Sequence, residues 1–598
     1  MKKVKRESLS IGGFLLKNGI ILVCIMMLTI TASLGNAGQT TSITDPAANI
    51  VYINGNVYTV NEKQPWAEAV AVEGNNIVFV GSNINAKKYT GKKYRIIDLK
   101  GKMLLPGFID GHSHPISGVQ LTSGADLQHN SIEKIIASVK AYADTHPKEK
   151  IIRGFGWRYH LFPSTGPTKK ILDKVFSDRP VYLIAIDAHS AWVNSKALEM
   201  AGITKDTPDP QPGFSYYQRD PKTKEATGYL VEPPAEIAVL NAIQPQTKEL
   251  IEVGFRKTVN DFAKAGITSV FDAGILGLPA EDGFSMYFNL EKQGKLPLRV
   301  IGSFYHNNPK IDPLPIIKDY RKRFQSELVQ AAVLKINVDG GDAQHTGAYL
   351  QPYADKPETS GEPIFTPEQL NKIVSDADAA GIDCHFHAFG DRAVRIALDA
   401  VEVAIKINPK RDRRHALAHS LYIADQDVPR FAKLNAIAQM SPQWATPDPT
   451  NLKVSVERLG QDIINKKFNR YGSVIRSGGI VAFGTDWPAA GYYSTYKPLE
   501  VIQVALTRKM LSGKGLLPVM PPENEIITLE QAIKSSTWSP AYELHLDSKV
   551  GTIEPGKLAD LVVLEKNLFD IKPDQISEVK VLMTLMNGKI TYEDKQLE

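Results

Sequence analysis

The hydrophobic pattern changes period along this chain. Over residues 51–60 (VYINGNVYTV), apolar and polar positions alternate around Asn54-Gly55, a dipeptide favoured in two-residue hairpin turns. The run AVAVEGNNIVFVG (69–81) repeats the arrangement. At the other end LADLVVLEK (558–566) precedes VKVLMTLMNGKITYE (579–593), with Asn587-Gly588 as its turn. Alternation broken by such turns predicts hairpins. Two β-rich ends predict one small sheet domain assembled from residues 48–104 and 546–598.

Between them, short apolar strands alternate with helical stretches. The candidate strands are 103–110, 267–273, 297–303, 332–340, 382–387, 415–420, 435–441 and 480–486. Eight such strands close a (β/α)8 barrel, so the expected fold class is α/β, a TIM-like barrel over 105–545. The gap from about 115 to 265 is too long for one crossover helix. It holds extra strands (IIRGFGW, VYLIAID) and a Pro/Gly-rich stretch at 206–234, and it reads as an insertion over the barrel mouth.

Composition narrows the class. With 598 residues, 43% apolar and 23% charged, the chain is not mostly disordered, collagenous or a polytopic membrane protein. Two cysteines exclude a disulfide scaffold. The net charge is +5, but Lys2, Lys3, Lys5, Arg6 and Lys17 against Glu7 place +4 of it in residues 1–37. No basic run with interleaved aromatics follows, so nucleic acid is not an expected partner. The basic start, the apolar run Gly19–Leu34 and the small residues up to Ala37 form the pattern of a secretory signal peptide. That run has 16 residues, short of the ~20 that span a bilayer, and an uncleaved anchor is the rival reading. Cys24, deep in the run, is a poor lipoprotein site, and cleavage would leave Cys384 alone. A bacterial protein exported to the periplasm or medium is expected, touching membrane only through this segment.

Candidate chemistry collects at the predicted C-terminal strand ends, where barrel enzymes place theirs. His112 and His114 follow the first strand in PGFIDGHSHP and point to one side of an extended chain. Imidazole is a common ligand of borderline metals. In Leu334–Asp339 the alternation puts Lys335, Asn337 and Asp339 on the inward face, where a lysine must be paired (Asp339 is the near candidate), neutral or modified. His385 and His387 share a face of the fifth strand; His419 ends the sixth and Asp486 the eighth.

This combination resembles the amidohydrolase superfamily. The runs HAFGDRAV (387–394), DAHSAWVNSKAL (187–198), GITSVFDAG (266–274) and GTDWP (484–488) resemble its family 3 branch, which includes N-substituted formamide deformylases. GTIEPGKLADLVVL (551–564) resembles the return into that superfamily's small β-sandwich. The resemblance implies that His112, His114 and Asp486 hold one divalent metal, that His387 and His419 hold a second, and that Lys335, carboxylated on its amine, bridges them. One metal or two is left open. Zinc is the first choice, with manganese, iron and cobalt compatible. The implied reaction is hydrolysis by a metal-activated water, with Asp486 moving the proton to the leaving nitrogen.

Further residues carry weaker signals. His189, Trp192 and Asn194 match a family motif and either reach the site or pack the insertion. His385 reads as a ligand or a supporting pocket residue. Trp157, Gln443 and Trp444 are candidates for an apolar substrate pocket. Gly390-Asp391-Arg392 reads as the start of a helix. The expected function is cleavage of a C–N, amide-type bond in a small molecule. The rivals are ester or lactone hydrolysis or isomerisation on the same centre, and a catalytically silent exported binding protein. A homo-oligomer is compatible with the sequence.

Overall fold

The computed structural model describes residues 49–91, 93–511 and 518–597. The predicted export segment, with Cys24, lies outside them. Among the described residues no helix is long and apolar enough to cross a membrane.

The central element is an eight-stranded sheet whose strands follow chain order. They are β1 (Phe108–Ser113), β2 (Ile267–Asp272), β3 (Arg299–His306), β4 (Val329–Asn337), β5 (Cys384–Ala388), β6 (Ala416–His419), β7 (Ile437–Met440) and β8 (Ile480–Phe483). Every pairing is parallel. The chain after β8 returns to β1: the Asp486 amide donates to the His112 carbonyl at 2.6 Å, and the Thr485 amide to Asp110 Oδ1 at 2.8 Å. Gly484 permits this approach, because a Cβ there would collide with the His112 amide nitrogen. The fold is the expected (β/α)8 barrel. Its helices bury apolar stripes at helical spacing; Asp391–Ile407 buries Val394, Ala397, Leu398 and Val401. Gly390 caps that helix, and its amide donates to Asp339 Oδ2 at 2.9 Å.

One predicted strand is really two. The apolar run 103–110 breaks at Gly107, whose amide donates to the Asp560 carbonyl. Met103–Pro106 belongs to a different sheet, and β1 starts at Phe108. That other sheet has six strands drawn from both ends of the chain: Asn56–Tyr58, Trp66–Ala67, Met103–Pro106, Leu561–Leu564, Val581–Met586 and Lys589–Glu593. A four-stranded sheet of Ile50–Ile53, Ala69–Glu73, Asn76–Gly81 and Arg95–Asp98 packs on it. Tyr52, Val70 and Ile97 from the smaller sheet share a core with Leu104, Val563 and Leu585 from the larger.

The turn signals divide here. Asn587-Gly588, with φ of 54° and 72°, closes a true hairpin between Val581–Met586 and Lys589–Glu593. Asn54-Gly55 does not. Ile50–Ile53 and Asn56–Tyr58 lie in different sheets, so this turn hands the chain from one sheet to the other. The local preference for a tight turn is met, but cross-sheet packing chooses the strands' partners.

The insertion after β1 forms its own six-stranded sheet, built from Ala125–Asp126, Ile152–Trp157, Val181–Ala185, Ser190–Val193, Tyr216–Arg219 and Ala226–Val231. The helix Glu232–Ile243 leads back, and Lys248–Lys264 is already the helix before β2.

Candidate metal centre

The site grows from what strand ends do to side chains. On β1 and the residue after it, His112 and His114 alternate onto one side. His114 Nδ1 lies 3.1 Å from the Gly274 carbonyl, so Nδ1–H donates there and Nε2 keeps its lone pair. His112 Nδ1 lies 2.9 Å from His385 Nε2, and His385 Nδ1 lies 3.0 Å from Glu543 Oε1. His112 Nδ1 is thus turned toward His385, and His112 Nε2 is turned toward Asp486. Both Nε2 atoms face one oxygen: Asp486 Oδ1 is 3.1 Å from His112 and 3.4 Å from His114. One donor atom from each of these three residues falls within a 4.8 Å cluster.

Asp486 has φ 54° and His419 has φ 69°, left-handed conformations that non-glycine residues rarely adopt. Each costs roughly 1–3 kcal/mol and persists only where surrounding contacts enforce it. For Asp486 those contacts include its amide bond to His112 and the Thr485–Asp110 pair, with Thr485 Oγ1 donating to Asp110 Oδ2 at 2.6 Å.

Beside this trio stand Lys335, His387 and His419. Their rings are close: 4.4 Å between the centroids of His387 and His419, and 4.9 Å from His112 to His419. His387 Nδ1 lies 3.2 Å from Asp339 Oδ1, which also accepts from the Phe389 amide. Asp339 Oδ2 accepts from the amides of Ala348 and Gly390. Asp339 therefore orients His387 and does not pair with Lys335, the partner its position on the strand had suggested. His419 Nδ1 is buried, 3.8 Å from Asp486 Oδ2, and has no hydrogen-bond partner. Lys335 is 1% exposed, with Nζ 3.5 Å from His112 Nε2.

Electrostatics favour the ligand forms. Burial first, then neighbouring positive groups, holds His112, His385, His387 and His419 well below the ordinary imidazole range, so they are neutral. Burial lowers Lys335 to about 7, with Asp486 and Glu543 opposing the shift. Neutral imidazoles, an inward carboxylate and a partnerless buried nitrogen form a donor set that fits a divalent cation of the borderline class. His112, His114, Lys335, His387, His419 and Asp486 all line one cavity.

The insertion supplies the rest of that cavity, and here sequence reasoning was only partly right. His189 lines it, with Nδ1 2.7 Å from Glu232 Oε2. Burial opposes charge on His189, but Glu232, Asp187 and Glu236 outweigh it and hold the imidazole up at about 10. Trp192 and Asn194 do not line the cavity. Trp192 Nε1 donates to the Thr168 carbonyl within the insertion core. Asn194 caps the helix Ser195–Met200, and its amide group is spent on Val181, Ala197, Phe176 and Arg179 backbone groups. Trp157 is likewise interior, donating to the Leu183 carbonyl. His385 sits behind His112, outside the cavity lining. Gln443 donates to the Thr485 carbonyl at 2.6 Å, supporting the Asp486 loop. Trp444 stacks on His419 at 5.4 Å and lines a neighbouring cavity that shares Asp187 and His189 with the first.

Glu232, Glu236 and Glu543 are the residues that sequence reading missed. Glu232 and Glu236 lie one turn apart on a helix, a spacing also typical of a solvated face. Glu543 lies in sequence far from the histidine it meets.

The chain belongs to the amidohydrolase family, whose profile matches residues 95–592. The site is thus that of a metal-dependent hydrolase family. Among individual proteins, it is 28% identical over 566 residues to "Protein LONG AFTER FAR-RED 3" of Arabidopsis thaliana, covering 92% of this chain and 93% of that one. It is 26% identical to an N-substituted formamide deformylase of Arthrobacter pascens, covering 91% and 98%. A crystal structure of an uncharacterized metal-dependent hydrolase from Pyrococcus horikoshii superposes with a TM-score of 0.67 at 25% identity, over 88% of this chain and 99% of that one.

Proposed function

We propose that this chain hydrolyses a C–N, amide-type bond of a small molecule, with Asp486 as the proton-transferring group. The observation that supports this most directly is the convergence of His112 Nε2 and His114 Nε2 on Asp486 Oδ1 inside a largely apolar cavity. His112, His114 and Asp486 would hold one divalent cation; His387, His419 and Lys335 would hold a second. Such an ion, zinc by preference, would polarise a carbonyl and bring a water's pKa to about 7. Lys335, buried without a carboxylate in hydrogen-bond reach, would serve as an anionic ligand once carboxylated.

The chain's own residues do the rest. Asp486 would accept a proton from the attacking water and return it to the leaving nitrogen. Asp110, through Thr485, fixes the Asp486 loop. Asp339 fixes His387. The apolar side chains of the insertion exclude bulk water. The N-terminal segment would export the protein.

The test is elemental analysis of protein purified without added metal or chelator, followed by a panel of N-formyl and N-acyl amides with matched esters and lactones. One or two equivalents of a transition metal and a preference for amides are expected. Metal-loaded protein that cleaves only the esters or lactones would overturn the C–N assignment. Folded protein that takes up no metal would overturn the centre.

A further inference from the structure

Glu236 is a buried carboxyl for which neither the metal centre nor the fold has a use. It lies on the helix Glu232–Ile243 and lines the same cavity as His112 and Asp486. The residue is 4% exposed, and its Oε1 has no hydrogen-bond partner. Leaving such an oxygen unsatisfied costs free energy that packing does not return.

Its acidic neighbours are satisfied. Glu232 takes His189 on one oxygen and the Thr346 hydroxyl on the other. Asp187 accepts from the Tyr159 hydroxyl and from Gln344, each at 2.7 Å. Of the three carboxyl groups on this wall, two have partners on both oxygens, and Glu236 is the one left over. Leu121, Ile237 and Leu240 line the same cavity and are apolar, and the Tyr182 hydroxyl is spent on the Glu236 backbone carbonyl at 3.0 Å.

We propose that Glu236 is a substrate-recognition residue, and that the substrate is a small amide whose apolar body carries a basic nitrogen. Its protonated nitrogen supplies the donor that Glu236 Oε1 lacks, while the apolar residues take the chain between nitrogen and amide. Burial, opposed by His189, keeps the Glu236 carboxyl well above the ordinary range, and a cation beside it offsets that burial. The amide half of this statement rests on the proposed function; recognition of the basic nitrogen does not.

The experiment compares N-(ω-aminoalkyl)acetamides of increasing chain length with N-alkylacetamides of the same lengths. KM is measured on the metal-loaded protein, and binding by calorimetry on metal-loaded Asp486→Asn protein. At the best length the amino compound should bind about 30-fold or more tightly than its alkyl partner. Glu236→Gln should abolish that ratio, and Glu236→Asp should restore part of it. Selective binding without hydrolysis supports the inference while removing the amide reading. Hydrolysis of both series with no preference at any length in the wild-type protein overturns the inference and leaves the amide reading standing, whatever becomes of the variants. A ratio that survives in Glu236→Gln also overturns it.

Discussion

The cavity has two walls of different construction. The barrel wall is made of strand ends, and its carboxylates and several of its histidines are tied to one another and to backbone, Asp110 to Thr485, Asp339 to His387 and His385 to His112, while His419 Nδ1 is left open beside Asp486. The insertion wall is made of a helix and loops, and its polar groups form a smaller cluster around His189 with one carboxyl left over. Chemistry needs fixed geometry, whereas selection needs a surface that can differ between relatives. The contrast assigns the first to the barrel and the second to the insertion.

The most severe way to break this division is at Asp486. Asp486→Asn should lower kcat by about 10³-fold while leaving most of the metal bound, measured by turnover beside elemental analysis. Unchanged turnover would remove the barrel wall's claim to the chemistry. One step out, Asp339→Asn should free His387 and weaken metal affinity by about 10–100-fold, read by competition with a chelator.

On the insertion wall, Glu232→Gln should leave the metal in place and move His189 instead. With its pKa at about 10 against an ordinary 6.5, His189 stabilises the fold through its ion pair fully below pH 6.5, and that contribution is lost as pH rises through about 10. The stability gap between wild type and Glu232→Gln should therefore be widest in mild acid and close in strong alkali, as denaturant titrations across pH would show. The smallest effect on function belongs to Asn194→Ala. It should cost about 2 kcal/mol of stability through the lost cap and buried hydrogen bonds, with kcat unchanged. A changed kcat at normal stability would put Asn194 back among the pocket residues.

The same division explains what the sequence disclosed. His112 and His387 stood out because strand alternation turns polar residues inward against an apolar pattern, a local contrast, whereas His419 and Asp486 were marked by their places at strand ends and by the resemblance to the amidohydrolase superfamily. Trp157, Trp192 and Asn194 stayed open between pocket and core because a residue type that lines pockets also fills cores, and only the partner decides. The partners here are backbone carbonyls of the insertion, which carry no signature. Glu232 and Glu236 stayed hidden because their meaning depends on His189 and on a cavity assembled from distant segments. Asn54-Gly55 shows the same limit in the sandwich: the turn was legible, the sheet each strand joins was not.

The six-stranded sheet has a consequence for how the protein is made. Met103–Pro106 pairs antiparallel with Leu561–Leu564, and Asp560 beside it holds Arg299 at 2.6 Å. A growing chain completes its four-stranded sheet by residue 98, but must wait until nearly all of it has been synthesised before the sheet holding Met103–Pro106 is complete. Until then Met103–Pro106 presents an open edge, a surface on which unfinished chains can join one another. Loss of the last strands would strand the molecule in that state, so shortened products should accumulate as aggregates even though the barrel strands are all present.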